Sequence, residues 1–289
     1  MTMFEKMCDR IGFEKNIKAD IISAFKQIKE KQQALDLLYL ASSESLNDNI
    51  DKDKLYKIEK LTGIHPYTVH AVVVVYSVIT TEENCKQKGM PSEMFDWILY
   101  DIKCKADETK TVHGISGIEF FGWFNAMLSL KRLCFGRLQY EIIPAEYDFG
   151  EFKKGDSILN FHIPSGLPLT EDSVIDSFKK AHAFYNDLKK NSILPLTCNS
   201  WMLHPATVEH CFKEGSNLRK FYDMFTIMGM DVDDKNSNFW RVCGCNMDKF
   251  DTAPEETSLQ RNLKNMIRSG VNMGHGFGYI LFDGEKIVK

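Results

Sequence analysis

The sequence contains no uninterrupted apolar run near the roughly 20 residues that a membrane-spanning helix needs; its longest aliphatic stretch is Ala71–Val75. A positive charge balance is also missing. With 36 Lys and Arg against 40 Asp and Glu, the net charge is −4, and a sequence-independent grip on nucleic acid has no electrostatic support. No C-x-x-C pair occurs among the eight cysteines, so neither a structural zinc site nor any other metal is expected. The opening residues Met1–Arg10 carry no apolar segment flanked by small residues, which argues against a secretory signal and for a reducing, cytoplasmic setting. Small molecules, rather than nucleic acid or a membrane, are the expected partners.

What is present is an ordinary globular composition: 289 residues, 44% apolar and 26% charged, enough for one large or two modest cores. The first half reads helical. Ile21, Phe25, Ile28, Leu35 and Leu38 recur as one long stripe, and Asp51–Leu61 and Pro66–Thr80 continue the pattern, with Pro66 suited to a first helical turn. Val72–Val75 is β-branched, but its setting between helical segments predicts a buried helix. After the break at Gly89–Ser92, Glu93–Ile102 restarts a stripe that fades into the polar run Lys103–Lys110. A further helix is predicted over Gly117–Leu130, and the domain boundary just after it, at 131/132.

From residue 132 the period falls to two. Arg137–Ile143 alternates as a half-buried strand, Ser157–Ile163 follows as a second, and a helix capped by Thr170 presents Val174, Phe178, Ala181, Tyr185 and Leu188. A strand is predicted over Leu194–Leu203, a helix capped by Ser216, and a hairpin about Asp231–Asn238. Cys243 and Cys245 would then share one face of an alternating segment. A helix at Ser258–Arg268, a strand at Gly278–Phe282, a turn at Asp283-Gly284 and a last strand to Val288 complete the chain. The fold class is α/β (α+β): an all-helical domain over residues 1–131, then a mixed-sheet domain over 132–289. Within the second, the strand, loop and helix of Ser157–Tyr185 bring free backbone N–H groups and a helix dipole together, the usual setting of a ligand site.

Four segments in order, Phe135–Glu141, His162–Thr170, Cys198–Leu203 and Ser216-Asn217, resemble bacterial acyltransferase-like proteins with a GNAT-like C-terminal domain. Gly89–Phe95 and the segment around Trp123 are similar to the helical N-acyltransferase N-terminal domain of the same family. The resemblance implies an acyl-CoA co-substrate and an acceptor amine, joined where two parallel strands splay apart; the strands ending at His162 and Trp201 are the candidates. It implies Glu141, His162 and Cys198 as base, proton relay or nucleophile. Asn160, Phe161, Ser165, Gly166, Asn199, Ser200 and Trp201 would surround the donor, with Arg261 and Lys264 as cations for its phosphates.

Each of these residues has a plainer reading beside the chemical one. A strand glutamate can be simply solvated, a histidine can cap a strand end, a cysteine packs as a small hydrophobe, and Arg261, Lys264 and Arg268 make an ordinary solvated stripe. The loop before Thr170 lacks the R-x-x-G-x-G/A pattern that cradles a pyrophosphate; Pro168 has no N–H, and Glu171 and Asp172 add negative charge. Asn199 stands where the family pattern places histidine. A GNAT-shaped module without catalysis, binding a small ligand or a protein, is therefore the second reading. Gly274-His275-Gly276-Phe277-Gly278 follows a helix instead of opening one, and is no dinucleotide fingerprint.

Overall fold

The computed structural model describes residues 1–288, which form two compact units, Met1–Cys134 and the chain from Phe135 onward. In the first, helices α1 (Met3–Ile11), α2 (Lys15–Lys29), α3 (Gln32–Leu46), α4 (Lys52–Thr62), α5 (Pro66–Gln87) and α6 (Ser92–His113) are followed by the short α7 (Asn125–Leu128). The valines of α5 are almost wholly buried, and Pro66 occupies its first turn. Burial on every side explains why β-branched residues are accepted in this helix: packing outweighs their weak propensity. Among the described residues, no single helix is long and apolar enough to cross a membrane.

Three expectations for this unit are corrected. The long stripe from Ile21 to Leu38 belongs to two helices, broken at Glu30-Lys31. Helix α6 does not fade at Lys103 but runs through the polar stretch, because Asp101, Lys105 and Thr109 lie on a buried side; Asp101 accepts from the Trp123 indole at 2.9 Å and Lys105 pairs with Glu108. Gly117–Leu130 is mostly turns, with helix only at Asn125–Leu128. Here the chain lies against the first turn of α5: Ile118 N–H donates to Tyr67 O, and a Cβ on Gly117 would stand 2.4 Å from the Tyr67 carbonyl carbon. The Ile118 N–H is thereby satisfied outside the segment, and the following backbone groups close short turns, such as Phe121 N–H to Glu119 O and Trp123 N–H to Phe120 O.

The second unit holds a seven-stranded sheet. Its elements are β1 (Arg132–Phe135, on which the boundary falls), β2 (Leu138–Pro144), β3 (Ser157–His162), α8 (Glu171–Phe184), β4 (Leu194–Ser200), α9 (Pro205–Cys211), α10 (Asn217–Asp223), β5 (Thr226–Val232), α11 (Trp240–Cys243), α12 (Ser258–Arg268), β6 (Gly274–Phe282) and β7 (Ile287–Val288). Strand order is β1-β2-β3-β4-β6-β5, with β7 on β6. All characterised pairings are antiparallel except β3 with β4, which is parallel. Thr170 and Ser216 cap α8 and α10 as expected, accepting from Ser173 and Arg219 N–H.

Here too the sequence reading needs correction at several points. The strand from Leu194 stops at Ser200, whose hydroxyl accepts from Met202 N–H and starts a 3-10 turn over Trp201–Leu203. That turn lies across β6, and the alternating glycines of β6 make it possible: a Cβ on Gly276 would fall 1.9 Å from Leu203 O, and one on Gly274 2.9 Å from the His204 ring. The run after Asp231 closes no hairpin. Asp233 caps the turn by accepting from Lys235 and Ser237 N–H, and the chain continues into α11 while β5 pairs with β6. Cys243 ends α11 and Gly244 takes a left-handed conformation, so Cys243 and Cys245 do not share a strand face. All eight thiols are free.

Candidate functional site

Pairing of β3 with β4 comprises two positions, Leu159 with Leu196 and Asn160 with Thr197. Both strands run on past them, β3 to His162 and β4 to Ser200, while their outer edges stay in ladder with β2 and β6. The two parallel strands therefore diverge at Phe161-His162 and Cys198–Ser200. This is the splay expected from the sequence.

Alternation sorts the residues around the gap onto two faces. On the face that meets α8, Phe161 packs against Phe178, Phe221 and Phe225, and Tyr140 bonds Ser177. Cys198 is on this face, opposite Gly278 in register, as is Ser200, opposite Gly276. On the other face, Glu141 lies opposite Asn160, and His162 follows two residues along β3. His162 Nε2 is 2.7 Å from Glu141 Oε1, and Asn160 Nδ2 is 3.3 Å from the same oxygen. A carboxylate only accepts, so Nε2 carries the proton it donates to Glu141, and Nδ1 is the basic nitrogen. Both side chains are about one-fifth exposed, 23% for His162 and 22% for Glu141. Across the gap on this face stands Asn199, exposed and opposite Phe277 of β6.

Beside Asn199 a pocket of ≈ 400 Å³ opens on the same face, lined by Glu146, Tyr147, Met228–Asp231, His275 and Phe277 as well as Asn199. One wall comes from the β2–β3 connection. Its Phe149 and Phe152 pack with Ala145 and Ile158 over the lower part of the sheet, and the Tyr147 ring stands 6.0 Å from that of Phe277. The opposite wall is the β5–β6 edge, where Asp231 accepts from His275 N–H at 2.9 Å and from its ring Nδ1 at 3.2 Å. The backbone N–H is the larger cause, and both bonds hold the Asp231 carboxyl below the ordinary carboxylate range. None of Tyr147, Asp231, His275 or Asn238 is among the site residues expected from the sequence, which reads Asp231–Asn238 as a turn and sets the glycine-rich run around His275 aside. Asp231 and His275 are 44 positions apart and meet only through the β5–β6 register.

Several expected site residues are placed elsewhere. Cys198 is buried and burial pushes its thiol far up, the opposite of what a nucleophile needs. The nearest histidine in sequence, His204, bonds Thr207 instead, and its own burial lowers its pKa. Trp201 packs on Phe212 in a separate core built by Val208, Cys211, Phe239, Leu263 and Met266. The Ser200 hydroxyl is engaged in its cap. Lys264 is 1% exposed, pairs with Glu255 at 2.9 Å and donates to Ala253 O, and Arg261 donates to the carbonyls of Glu255 and Glu256. Both cations therefore tie α12 to the preceding loop, and the expectation of a phosphate contact there is withdrawn. Ser165 and Gly166 lie in the β3–α8 loop, which the buried Arg137 clamps through Leu167 O at 2.9 Å and Pro168 O at 3.4 Å. That clamp went unnoticed in the sequence because Arg137 reads there only as the polar start of a strand.

Comparison with known proteins adds independent findings. Residues 3–130 match the model of the N-acyltransferase N-terminal domain, and residues 133–280 that of the GNAT-like C-terminal domain. A search of curated proteins finds no match. Among solved structures, an acyltransferase in complex with decanoyl-CoA superposes with TM-score 0.76 at 18% identity, covering 94% of this chain and 85% of that one. An acyltransferase with decanoyl-CoA and teicoplanin gives 0.75 at 18% identity, over 96% and 86%. A mutant acyltransferase with octanoyl-CoA gives 0.74 at 17% identity, over 95% and 86%. The two domain matches together span nearly the whole sequence, and the chain belongs to the family that joins an N-acyltransferase N-terminal domain to a GNAT-like C-terminal domain.

Proposed function

We propose that this protein transfers an acyl group from a CoA thioester directly to an amine, in a reducing cytoplasm that suits eight free thiols. One observation carries the reading: β3 and β4 pair for two positions and then diverge, next to an imidazole paired with a carboxylate. Main-chain groups beyond Asn160 and Thr197 are released from the ladder between the two strands and are available to a pantetheine arm and a thioester carbonyl. Family membership and the complexes of its structural neighbours with decanoyl-CoA and octanoyl-CoA support a fatty thioester as donor.

In the reaction, the amine nitrogen attacks the thioester carbonyl carbon, the C–N bond forms, the C–S bond breaks, and the electron pair leaves with sulfur. His162 Nδ1 takes the proton that the nitrogen loses and passes it to the departing CoA thiolate, giving an amide, free CoA and the neutral imidazole again. Glu141 holds the ring in its Nε2–H tautomer and balances the charge that the imidazole acquires. Asn160, hydrogen-bonded to the same carboxylate oxygen, steadies Glu141. The buried Cys198 takes no part, so the chain forms no acyl-enzyme.

The test is calorimetric titration of decanoyl-CoA into wild type and Glu141→Gln, followed by turnover with a primary amine. Wild type should bind the donor before any acceptor is present. The variant should keep donor affinity and lose about tenfold or more in turnover. Failure of wild type to bind at millimolar donor removes the transferase reading and leaves the non-catalytic module.

A further inference from the structure

The ≈ 400 Å³ pocket beside Asn199 has a construction that the transfer step does not require. A hydrogen-bonded chain of four side chains runs to its rim. Arg241 Nε donates to Asn238 Oδ1 at 2.8 Å, which turns the Asn238 amide so that Nδ2 donates to His275 Nε2 at 2.9 Å. With its lone pair on Nε2 so engaged, the His275 ring carries its proton on Nδ1 and donates it to Asp231 Oδ1 at 3.2 Å, while His275 N–H donates to the same oxygen at 2.9 Å. Asp231 is thereby fixed in orientation and kept ionised, although its side chain is 65% exposed. A surface carboxylate needs none of this for solubility.

A second carboxylate, Glu146, lines the pocket from the other wall and has no side-chain partner among the described residues. Tyr147 and Phe277, whose ring centroids are 6.0 Å apart, and Met228 line the same pocket as the two carboxylates. Carboxylates together with aromatic faces are the chemistry that recognises an organic cation: ion pairing to the carboxylates and attraction to the ring quadrupoles. An acyl chain would leave both carboxylates unpaired against a methylene surface, and an anionic acceptor would be repelled.

We infer that this pocket is the acceptor subsite and that it selects an amine bearing a second ammonium group, held at Asp231 and Glu146, with His275 and Asn238 as positioning residues. The inference rests on the transferase reading for the name acceptor and for the place of Asn199, which lines the pocket and also stands across the gap from His162. An alkylamine is almost wholly protonated at neutral pH, since its pKa is near that of lysine, about 10.4. The acceptor therefore arrives as a dication. One ammonium can stay paired with the carboxylates while the other reaches the strand gap, where it loses a first proton to solvent to become the free amine and a second to His162 Nδ1 as the amide forms.

The test uses the full chain, without CoA, at low salt, with 1,4-diaminobutane as probe and 1,4-butanediol and succinate as controls, read by calorimetry. Wild type should give saturable heat with the diamine and none with the diol or the dianion. Asp231→Asn and, independently, Glu146→Gln on the exposed loop should each weaken the diamine by about tenfold. The 15N shifts of the His275 ring should report the Nδ1–H tautomer, and Asn238→Ala should disturb them and weaken the diamine together. Unchanged diamine affinity in both carboxylate variants overturns the inference, as does equal binding of succinate or an Nε2–H tautomer at His275. Displacement of the diamine by decanoyl-CoA but not by CoA would assign the pocket to the acyl chain and overturn it too. Because no CoA is present in the first titration, a chain that binds the diamine but no acyl-CoA loses only the transferase reading. One that binds acyl-CoA but no diamine loses only this one.

Discussion

The two faces of the C-terminal sheet are made by the same strands and differ in nearly everything else. On the α8 side, Tyr140, Phe161, Cys198 and the glycines of β6 are buried against α8, α10 and the turn at Trp201–Leu203. On the other side, Glu141, His162, Asn199, Asp231 and His275 meet solvent, and part of that face is covered only by a loop. Successive residues along one strand thus meet different surroundings: Phe161 is packed among aromatic rings, while His162 is part-exposed and paired with Glu141. The lesson is that a splayed parallel pair exposes backbone without costing the sheet its core, since one face stays packed with aromatic rings beneath the gap.

The sharpest way to break this comparison is to substitute the neighbours Phe161 and His162 by alanine. Phe161→Ala removes a fully buried ring and should cost about 3–5 kcal/mol of stability, read by chemical denaturation. His162→Ala should change stability by no more than about 1 kcal/mol but lower transfer by about 10²–10⁴. If His162→Ala kept full turnover, the division of labour between the faces would not hold.

A second contrast pits His162 against the buried His70 of the helical unit, whose Nδ1 lies 3.0 Å from Ile118 O. Burial pulls the His70 pKa down to about 4. The unfolded chain therefore binds a proton that the folded one refuses between the ordinary value and about 4, so stability is full above about pH 6.5 and falls as pH drops through that window. The expected loss is roughly 3 kcal/mol, measurable as the difference between wild type and His70→Gln in denaturation series at several pH values. A constant difference across the window would contradict it.

The smallest effect is expected from Cys198→Ala. A buried thiol whose ionisation is suppressed contributes packing alone, so turnover should stay within about threefold and stability fall by about 1 kcal/mol. A loss of several orders of magnitude would restore the acyl-enzyme.

Much of the helical unit was legible because burial repeats at helical spacing, as in α2 and α6, while α5, buried on every side, was legible from its setting between helical segments. Gly117–Leu130 misled because its apolar residues do pack, while its backbone closes a series of short turns instead of a continuous helix and its first N–H, at Ile118, goes to α5. In the site, Glu141 and His162 could be named from their strands, but not that they touch, since 21 positions separate them and only the β2–β3 register brings them together. Lys264 was misread for the complementary reason. A basic stripe on a helix looks solvated until tertiary packing buries one of its members against Glu255.

Local chemistry by itself determined the helix starts at Thr170 and Ser216, the position of the parallel strands, the two-domain order and the family resemblance, because capping, alternation and motif order act over a few residues. Only the tertiary structure decided where β3 and β4 part, which face each candidate takes, that Cys198 is sealed beneath the gap, and that Asp231, His275, Asn238 and Arg241 form one chain. Those outcomes depend on strand register and on what packs against each face, and both arise from contacts between residues far apart in the sequence.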